Sequence, residues 1–340
     1  MKSIRLGLSL GVLALAAVGA SACGDRVTTD AASAEVVPPV ARGALLLAAT
    51  AAGEVLLAVG EHGLILRSAD AGRTFEQVAV PRQGTLTDVH LSADGAEAWA
   101  IGHDELILHS ADGGRNWDVQ SENTEPDNPL LDLYFESPEV GYAVGGYGVI
   151  YRTRDGGRSW QRDVIRGGDG FEYHFYGITR GADGAHYLAA EQGRLMRSTD
   201  DTRTWERLES PYEGSYFGIQ TTPGGALLAY GMLANAFRSD DGGASWQRVQ
   251  IPAEQSLLAS ATGADGDLWL TGRSGMLLRS RDDGRSFEAV QTRTRRVVTD
   301  VQPGTARGLL VTGEFGLRAT PQDQPGALEP LAAVVTGEGA

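Results

Sequence analysis

From about residue 45 onward the chain is a succession of short runs in which apolar and polar positions alternate, the two-residue period of half-buried strands. In the stretch 86–101, the runs LTDVHL and AEAWAI flank SADG, a turn-forming cluster. A third run opens with a G-x-x-G-like turn, as in GEHGLILR at 60–67 and GRSGMLLR at 272–279. Glycine there supplies the positive φ of a tight hairpin. A fourth run follows, as in QRVQI at 247–251, so that four strands recur in about 42 residues. That repeat predicts propeller blades.

Between the third and fourth runs lies an octapeptide that recurs six times: SADAGRTF (68–75), SADGGRNW (110–117), TRDGGRSW (153–160), STDDTRTW (198–205), SDDGGASW (239–246) and SRDDGRSF (280–287). Its terminal aromatics are 42, 43, 45, 41 and 41 residues apart. Each position has a mechanical role. The carboxylates of Asp70, Asp112, Asp155, Asp200, Asp241 and Asp282 accept nearby backbone N–H groups, glycine takes a left-handed turn, hydroxyls close the loop, and Trp or Phe fills the space between sheets. Six equivalent acids argue for structure, since a repeated catalytic site would need a repeated substrate.

Residues 297–317 reproduce three strands, and 320–326 an eroded octapeptide, which makes a seventh unit. The expected architecture is all-β: one seven-bladed β-propeller of four-stranded antiparallel blades at about 42–80, 84–121, 129–165, 174–210, 215–251, 256–291 and 296–336, within a domain 42–336 and followed by a tail 337–340. Either residues 328–335 or residues 36–40 supply the outer strand of blade seven.

The octapeptides resemble the BNR or Asp-box repeats of sialidases, some xyloglucan hydrolases, sortilin-like receptors and the photosystem II stability/assembly factor family. The uniform short period, the single seven-unit ring and the leader are most similar to the last of these, over about residues 45–320. The resemblance implies a non-catalytic exported protein that binds a membrane-associated protein partner. It assists assembly or operation of a membrane complex, which in a bacterium without photosystems is another envelope system such as a transporter. One propeller scaffold carries many functions, so a glycoside hydrolase, a sialidase-like enzyme or a carbohydrate-binding propeller is the alternative.

Composition places the chain outside the cytoplasm. Lys2 and Arg5 precede an apolar run at 6–20 that is too short to span a bilayer, and the stretch 20–23 reads ASAC. This predicts a signal peptide over 1–22 and a flexible linker over 23–41. Two cleavage readings compete, an A-x-A site and a lipobox with Cys23 at the cut. Cys23 is the sole cysteine, hence the lipidation candidate and the route to a periplasmic or cell-envelope lipoprotein. The net charge of −15 disfavours nucleic acid and anionic lipid, leaving a lipid anchor as the only expected membrane contact. A monomer without cofactor or metal is expected, because the six His are scattered and show no ligand spacing.

An enzyme of the sialidase type would need an Arg-Ile-Pro segment, absent here, and a two-carboxylate glycosidase would need a pair about 5–9 Å apart. The acids to weigh are Asp88, Asp132 and Asp300, at one position of the innermost strand in blades two, three and seven. Their counterparts in the other blades are expected to be Leu46, Gly177, Gly218 and Ala259. Such channel-lining acids either accept backbone hydrogen bonds from the next blade, bind a cation or polar ligand, or act in hydrolysis.

Alternating strand direction puts the inter-blade connections and the G-x-x-G turns on one face and the octapeptides on the other. Two of these connections are aromatic, with Phe171, Tyr173 and His174 before blade four and Tyr212, Tyr216 and Phe217 before blade five. Another holds Arg293, Arg295 and Arg296. Tyr and Arg on one rim are the usual material of interface hot spots, so Tyr173, His174, Tyr212, Tyr216, Arg293, Arg295 and Arg296 are the partner-binding candidates.

Overall fold

The computed structural model describes residues 44–124, 128–166, 172–290, 292, 294–305, 308–320 and 329–330. The leader, Cys23, Phe171 and Arg293 lie outside them. The described chain is a seven-bladed β-propeller, each blade four strands in simple up-and-down order. The inner strands are Leu46–Ala52, Leu86–Leu91, Leu130–Phe135, Phe175–Arg180, Tyr216–Thr221, Leu257–Thr262 and Val298–Thr305. Each touches the next, and the last touches the first. Blade seven takes its outer strand from the C-terminal side, where Glu329–Pro330 pairs with Arg318 and Ala319. Among the described residues ring closure is therefore made by packing and side chains, with no strand exchanged between the chain ends.

The second strand of each blade lies inside its sheet and is buried throughout in five blades, as in Ala98–Gly102 and Leu268–Gly272, and from the second residue on in blades one and seven. Apolar side chains consequently gather between blades. Leu57 and Val59 of blade one meet Val89 and Leu108 of blade two in one such layer. At the closing seam Leu46 and Phe75 meet Leu310 and Leu317 in another.

A second device fastens the blades at the octapeptide level. Arg67 donates to the Gly113 carbonyl of the next blade (2.7 Å), Arg152 to the Thr202 hydroxyl (2.6 Å), and Arg238 to the Asp283 carbonyl (3.0 Å) and carboxylate (2.8 Å). Thr202 stands at φ +62° where the other five octapeptides have glycine, and the Arg152 contacts hold it there.

Each inner strand carries a one-residue bulge near its start, visible as a register shift between Leu86 and Asp88 and at the matching place in the other six. The bulged residues are Leu47, Thr87, Leu131, Tyr176, Phe217, Leu258 and Thr299, and all line the channel. This register corrects the expected alignment in blade one. Ala48 pairs with Val59 as Asp88 pairs with Ile101, so Ala48 is the counterpart of Asp88, whereas Leu46 aligns with Leu86 and is wholly buried.

Candidate functional site

The six octapeptides share one hydrogen-bond plan. In the first, the Ser68 hydroxyl donates to Asp70 (2.8 Å) and accepts the Gly72 amide (2.9 Å), while Thr74 donates its amide (2.9 Å) and hydroxyl (2.7 Å) to the Asp70 carboxylate. The same bonds recur around Asp112, Asp155, Asp200, Asp241 and Asp282. Through its amide and hydroxyl, the residue four positions on holds Asp70, Asp155, Asp200 and Asp241 down to about 2. Both oxygens of each carboxylate are occupied by their own loop.

The inner strands enclose a channel of about 780 Å³. Asp88, Asp132 and Asp300 line it, and each bridges two blades. Asp88 accepts the Leu133 amide of blade three (2.8 Å) and its own neighbour Val89 (2.8 Å); Asp132 accepts Ile178 of blade four (2.7 Å); Asp300 accepts Ala49 of blade one (2.9 Å). In blades two and seven the preceding threonine completes a clamp. Thr87 donates to the Leu130 carbonyl (2.6 Å) and Thr299 to the Leu46 carbonyl (2.6 Å). The neighbour's inner strand thus has an amide and a carbonyl satisfied by one Thr-Asp pair. No threonine precedes Asp132, and no acid stands at Gly177, where a Cβ would come within 3.0 Å of Gly218 Cα and the two backbones meet directly.

Burial pushes Asp132 and Asp300 up to about 6, and raises Asp88 well above the carboxylate range, with the charges of Asp132 and Asp300 adding to its shift. Among the described residues no three acidic or imidazole groups converge to hold a metal ion. The geometry places these acids in the ring's joints.

The expected face assignment follows from the hydrogen bonds. Octapeptide amides reach the loops between first and second strands, as Gly113 to the Ala96 carbonyl and Gly156 to that of Glu139. The G-x-x-G turns bond the inter-blade connections instead, as Gly148 to Tyr173 and Gly193 to Gly214. On the latter face the structure divides the partner-binding candidates. Tyr216 is wholly buried, because the bulge turns it into the sheet-to-sheet core and leaves Phe217 to face the channel mouth. Tyr173 is also buried, with Arg194 stacked 3.7 Å above its ring. Neither presents a surface to a partner. His174 and Tyr212 are half-buried, and Arg295 and Arg296 are exposed.

Three large apolar residues on this face were missed from the sequence: Tyr147 (49 % exposed), Met232 (37 %) and Leu233 (64 %). They occupy the tips of the G-x-x-G-like turns of blades three and five, at residues 145–148 and 231–234. Tyr147 and Leu233 have φ of +53° and +55°. The equivalent residues are His62, Asp104, Gln192 and Ser274 in blades one, two, four and six, and Phe315, which is buried, in blade seven. The available signal was a bulky apolar side chain at a turn tip whose equivalents in four blades are polar.

Comparison with known proteins decides the family. The family described as "Photosynthesis system II assembly factor YCF48" matches residues 47–130 and 118–224, together just over half of the chain. The chain belongs to this family. Among its Ycf48 relatives, the photosystem II assembly protein Ycf48 of Synechococcus sp. strain JA-2-3B'a(2-13) is 31% identical over 153 residues, 44% of each chain. The photosystem II assembly lipoprotein Ycf48 of Synechococcus sp. strain CC9902 is 35% identical over 82 residues, 24% of each chain. The chain thus spans less than half the length of these curated relatives. A solved structure described as "YCF48 bound to D1 peptide" superimposes with a TM-score of 0.66 at 19% identity, covering 82% of this chain and 94% of that one. A streptogramin B lyase superimposes with a TM-score of 0.67 at 14% identity, over 83% and 94%. An enzyme and a Ycf48 therefore share this fold, and the superpositions bear on architecture alone.

Proposed function

We propose that the chain is an exported, non-catalytic propeller that binds a segment of a protein partner and assists assembly or operation of an envelope membrane complex, a transporter being one such client. Membership of the Ycf48 family supports an assembly role, and a Ycf48 has been captured with a peptide from D1. The observation that carries the reading is the contrast between faces. The octapeptide face repeats the same loop six times, whereas the opposite face varies from blade to blade and bears His174, Tyr212, Arg295 and Arg296. A partner distinguishes orientations only on a face that does not repeat. The absence of catalysis is supported by the acids themselves, which are occupied by backbone amides in the octapeptides and in the channel joints.

Crosslinking in the native envelope followed by pull-down is expected to capture an integral membrane protein, with crosslinks near Tyr212 and Arg295. Truncating either residue to Ala should cost more than about 1 kcal/mol of affinity for that partner. Crosslinks mapping to the octapeptides near Asp112, Asp155 and Asp241 would reverse the face assignment. A glycosidase screen with an activity abolished by Asp88→Asn would sink the non-catalytic reading.

Anchoring through Cys23 belongs to the same proposal, motivated by the lipobox-like ASAC stretch at residues 20–23 and by a relative named as a lipoprotein. Labelled palmitate should be incorporated by the wild type and not by Cys23→Ser. Unchanged membrane association of that variant would refute the anchor.

A further inference from the structure

The exposed apolar residues of the loop-bearing face continue into its aromatic residues. Tyr147 lies 4.6 Å from His174 between ring centroids, His174 lies 6.5 Å from Tyr176, and Tyr176 lies 5.4 Å from Phe217 at an interplanar angle of 83°. Tyr176 and Phe217 are bulged residues at the channel mouth, so the line runs from the rim of blade three to the centre of the ring. On blade five the turn of Met232 and Leu233 bonds the connection that leads into Phe217: the Met232 amide donates to the Ser215 carbonyl (3.1 Å), and the Tyr212 hydroxyl donates to the Met232 carbonyl (3.2 Å).

That turn borders a basic zone. The Ser256 hydroxyl accepts the Leu233 amide (3.3 Å) and the Ser256 carbonyl accepts the Arg273 amide (3.2 Å), which makes the blade five and blade six turns neighbours. Arg273 and Arg295 are exposed and, among the described residues, have no carboxylate partner. In a chain of net charge −15, unpaired arginines beside an apolar strip are a local reversal of the average field.

We infer that this arc, from Tyr147 across the channel mouth to Leu233 and on to Arg273 and Arg295, docks an extended protein segment that carries apolar side chains along one part and carboxylates along the next. The inference rests on the reading that the propeller binds a protein partner. Three observations select this occupant. The apolar residues form a line that ends beside the basic zone, which suits an extended chain. The free arginines call for carboxylates. The net negative charge of the whole chain opposes an anionic lipid surface. Tyr147 and Leu233 also keep a left-handed conformation that bulky residues avoid, at a position where blades one, two, four and six use His, Asp, Gln and Ser and where Phe315 of blade seven does not take positive φ.

The test uses the mature wild-type chain as bait for a displayed pool of random twelve-residue peptides with free C-termini. Sequences with apolar or aromatic residues followed by Asp or Glu should be enriched. Their binding should weaken with added salt, and fall at least tenfold in both Leu233→Asn and Arg295→Glu. Asn tolerates the left-handed conformation better than Leu, so Leu233→Asn should keep or raise the melting temperature and loss of binding would not reflect unfolding. Enrichment of basic peptides, or enriched peptides insensitive to both substitutions, would overturn the arc. So would cosedimentation of the wild type with phosphatidylethanolamine/phosphatidylglycerol vesicles that Leu233→Asn abolishes, or a dimer that it dissolves. If envelope crosslinking captures a membrane protein unaffected by both substitutions, the arc fails and the partner-binding reading stands. If no peptide is enriched and no membrane protein is captured, both fail.

Discussion

Replacing Glu105 by Ala should lower the unfolding free energy by about 3 kcal/mol or more, the scale for removing one member of a buried ion pair. Glu105 is fully buried in the turn between the second and third strands of blade two. Arg162 of blade three grips it with two bonds (2.6 and 2.8 Å), and the Tyr151 hydroxyl (2.7 Å) and the side-chain amides of Asn128 (3.0 Å) and Asn123 (3.3 Å) complete its shell. Burial by itself would raise the carboxyl; the hydrogen bonds from Arg162, Tyr151 and Asn128 and the Arg162 charge outweigh it and lower the pKa. Truncation would leave Arg162 and Tyr151 of blade three, and Asn123 and Asn128 of the connection leading to it, facing a void. Arg162 is 36 % exposed and can turn to water, which keeps the loss toward the lower end of the range. Glu105→Gln should cost less, since it retains an acceptor and its shape. Equal denaturant midpoints for the wild type and Glu105→Ala would show that the network contributes nothing. The lowered pKa has its own consequence: this contribution is present above the unfolded value near 4.3 and fades as the pH falls below it.

Glu105 also shows what the repeat concealed. At its position the G-x-x-G turn has Gly63, Gly148, Gly193 and Gly275 in other blades, and Glu105 keeps the left-handed backbone with φ +49°. A non-glycine residue at a glycine position is visible in the sequence as an exception. Its partners are not, because Arg162 lies 57 residues on and no local pattern connects them. The octapeptides were legible for the opposite reason. Every bond in them links residues at most four apart, so composition and spacing already contain the geometry. Strand count and blade count followed from the same locality.

The inner strands fall between these cases. A two-residue period places each side chain only while the ladder is regular, and one bulge near the start of each strand moves the count. The misplacement of Tyr216 on the surface is that one-residue effect, whereas Leu46 stands two positions before Ala48, the residue that the register sets beside Asp88. The Thr-Asp pairs at residues 87–88 and 299–300 were readable as residues but not as clamps, since the backbone groups they satisfy belong to the next blade. Tyr147 and Leu233 sit at turn tips, outside any strand, so the two-residue period says nothing about their exposure.

The channel acids should withdraw stability as the pH rises from 5 to 8, a direction opposite to that of the hydrogen-bonded octapeptide carboxylates and of buried His90. Asp132 and Asp300 titrate at about 6 in the fold, raised by burial, against about 3.9 in the unfolded chain. Between those values the native state binds more protons than the unfolded state, so stability falls as the pH rises through that window. What these groups contribute is present below about pH 4 and lost above about pH 6. The octapeptide acids act the other way: Asp70, Asp155, Asp200 and Asp241, held at about 2, add stability that disappears only below about pH 4. Buried His90 opposes the channel acids: burial lowers it to about 4 against about 6.5 in the unfolded chain, so its contribution is present above about pH 6.5 and fades as the pH falls toward 4. At one pKa unit per 1.36 kcal/mol, and with channel water softening the burial, the two acids account for about 2 kcal/mol between pH 5 and pH 8, the same order as the opposing His90 effect, so their share is read from a variant. Asp132→Asn should therefore raise the melting temperature at pH 8 relative to pH 5, compared with the wild type, because the amide oxygen can still accept Ile178 N–H while the charge beside Asp88 and Asp300 is gone. A difference between pH 5 and pH 8 that is unchanged in Asp132→Asn would show that these acids titrate as ordinary carboxylates.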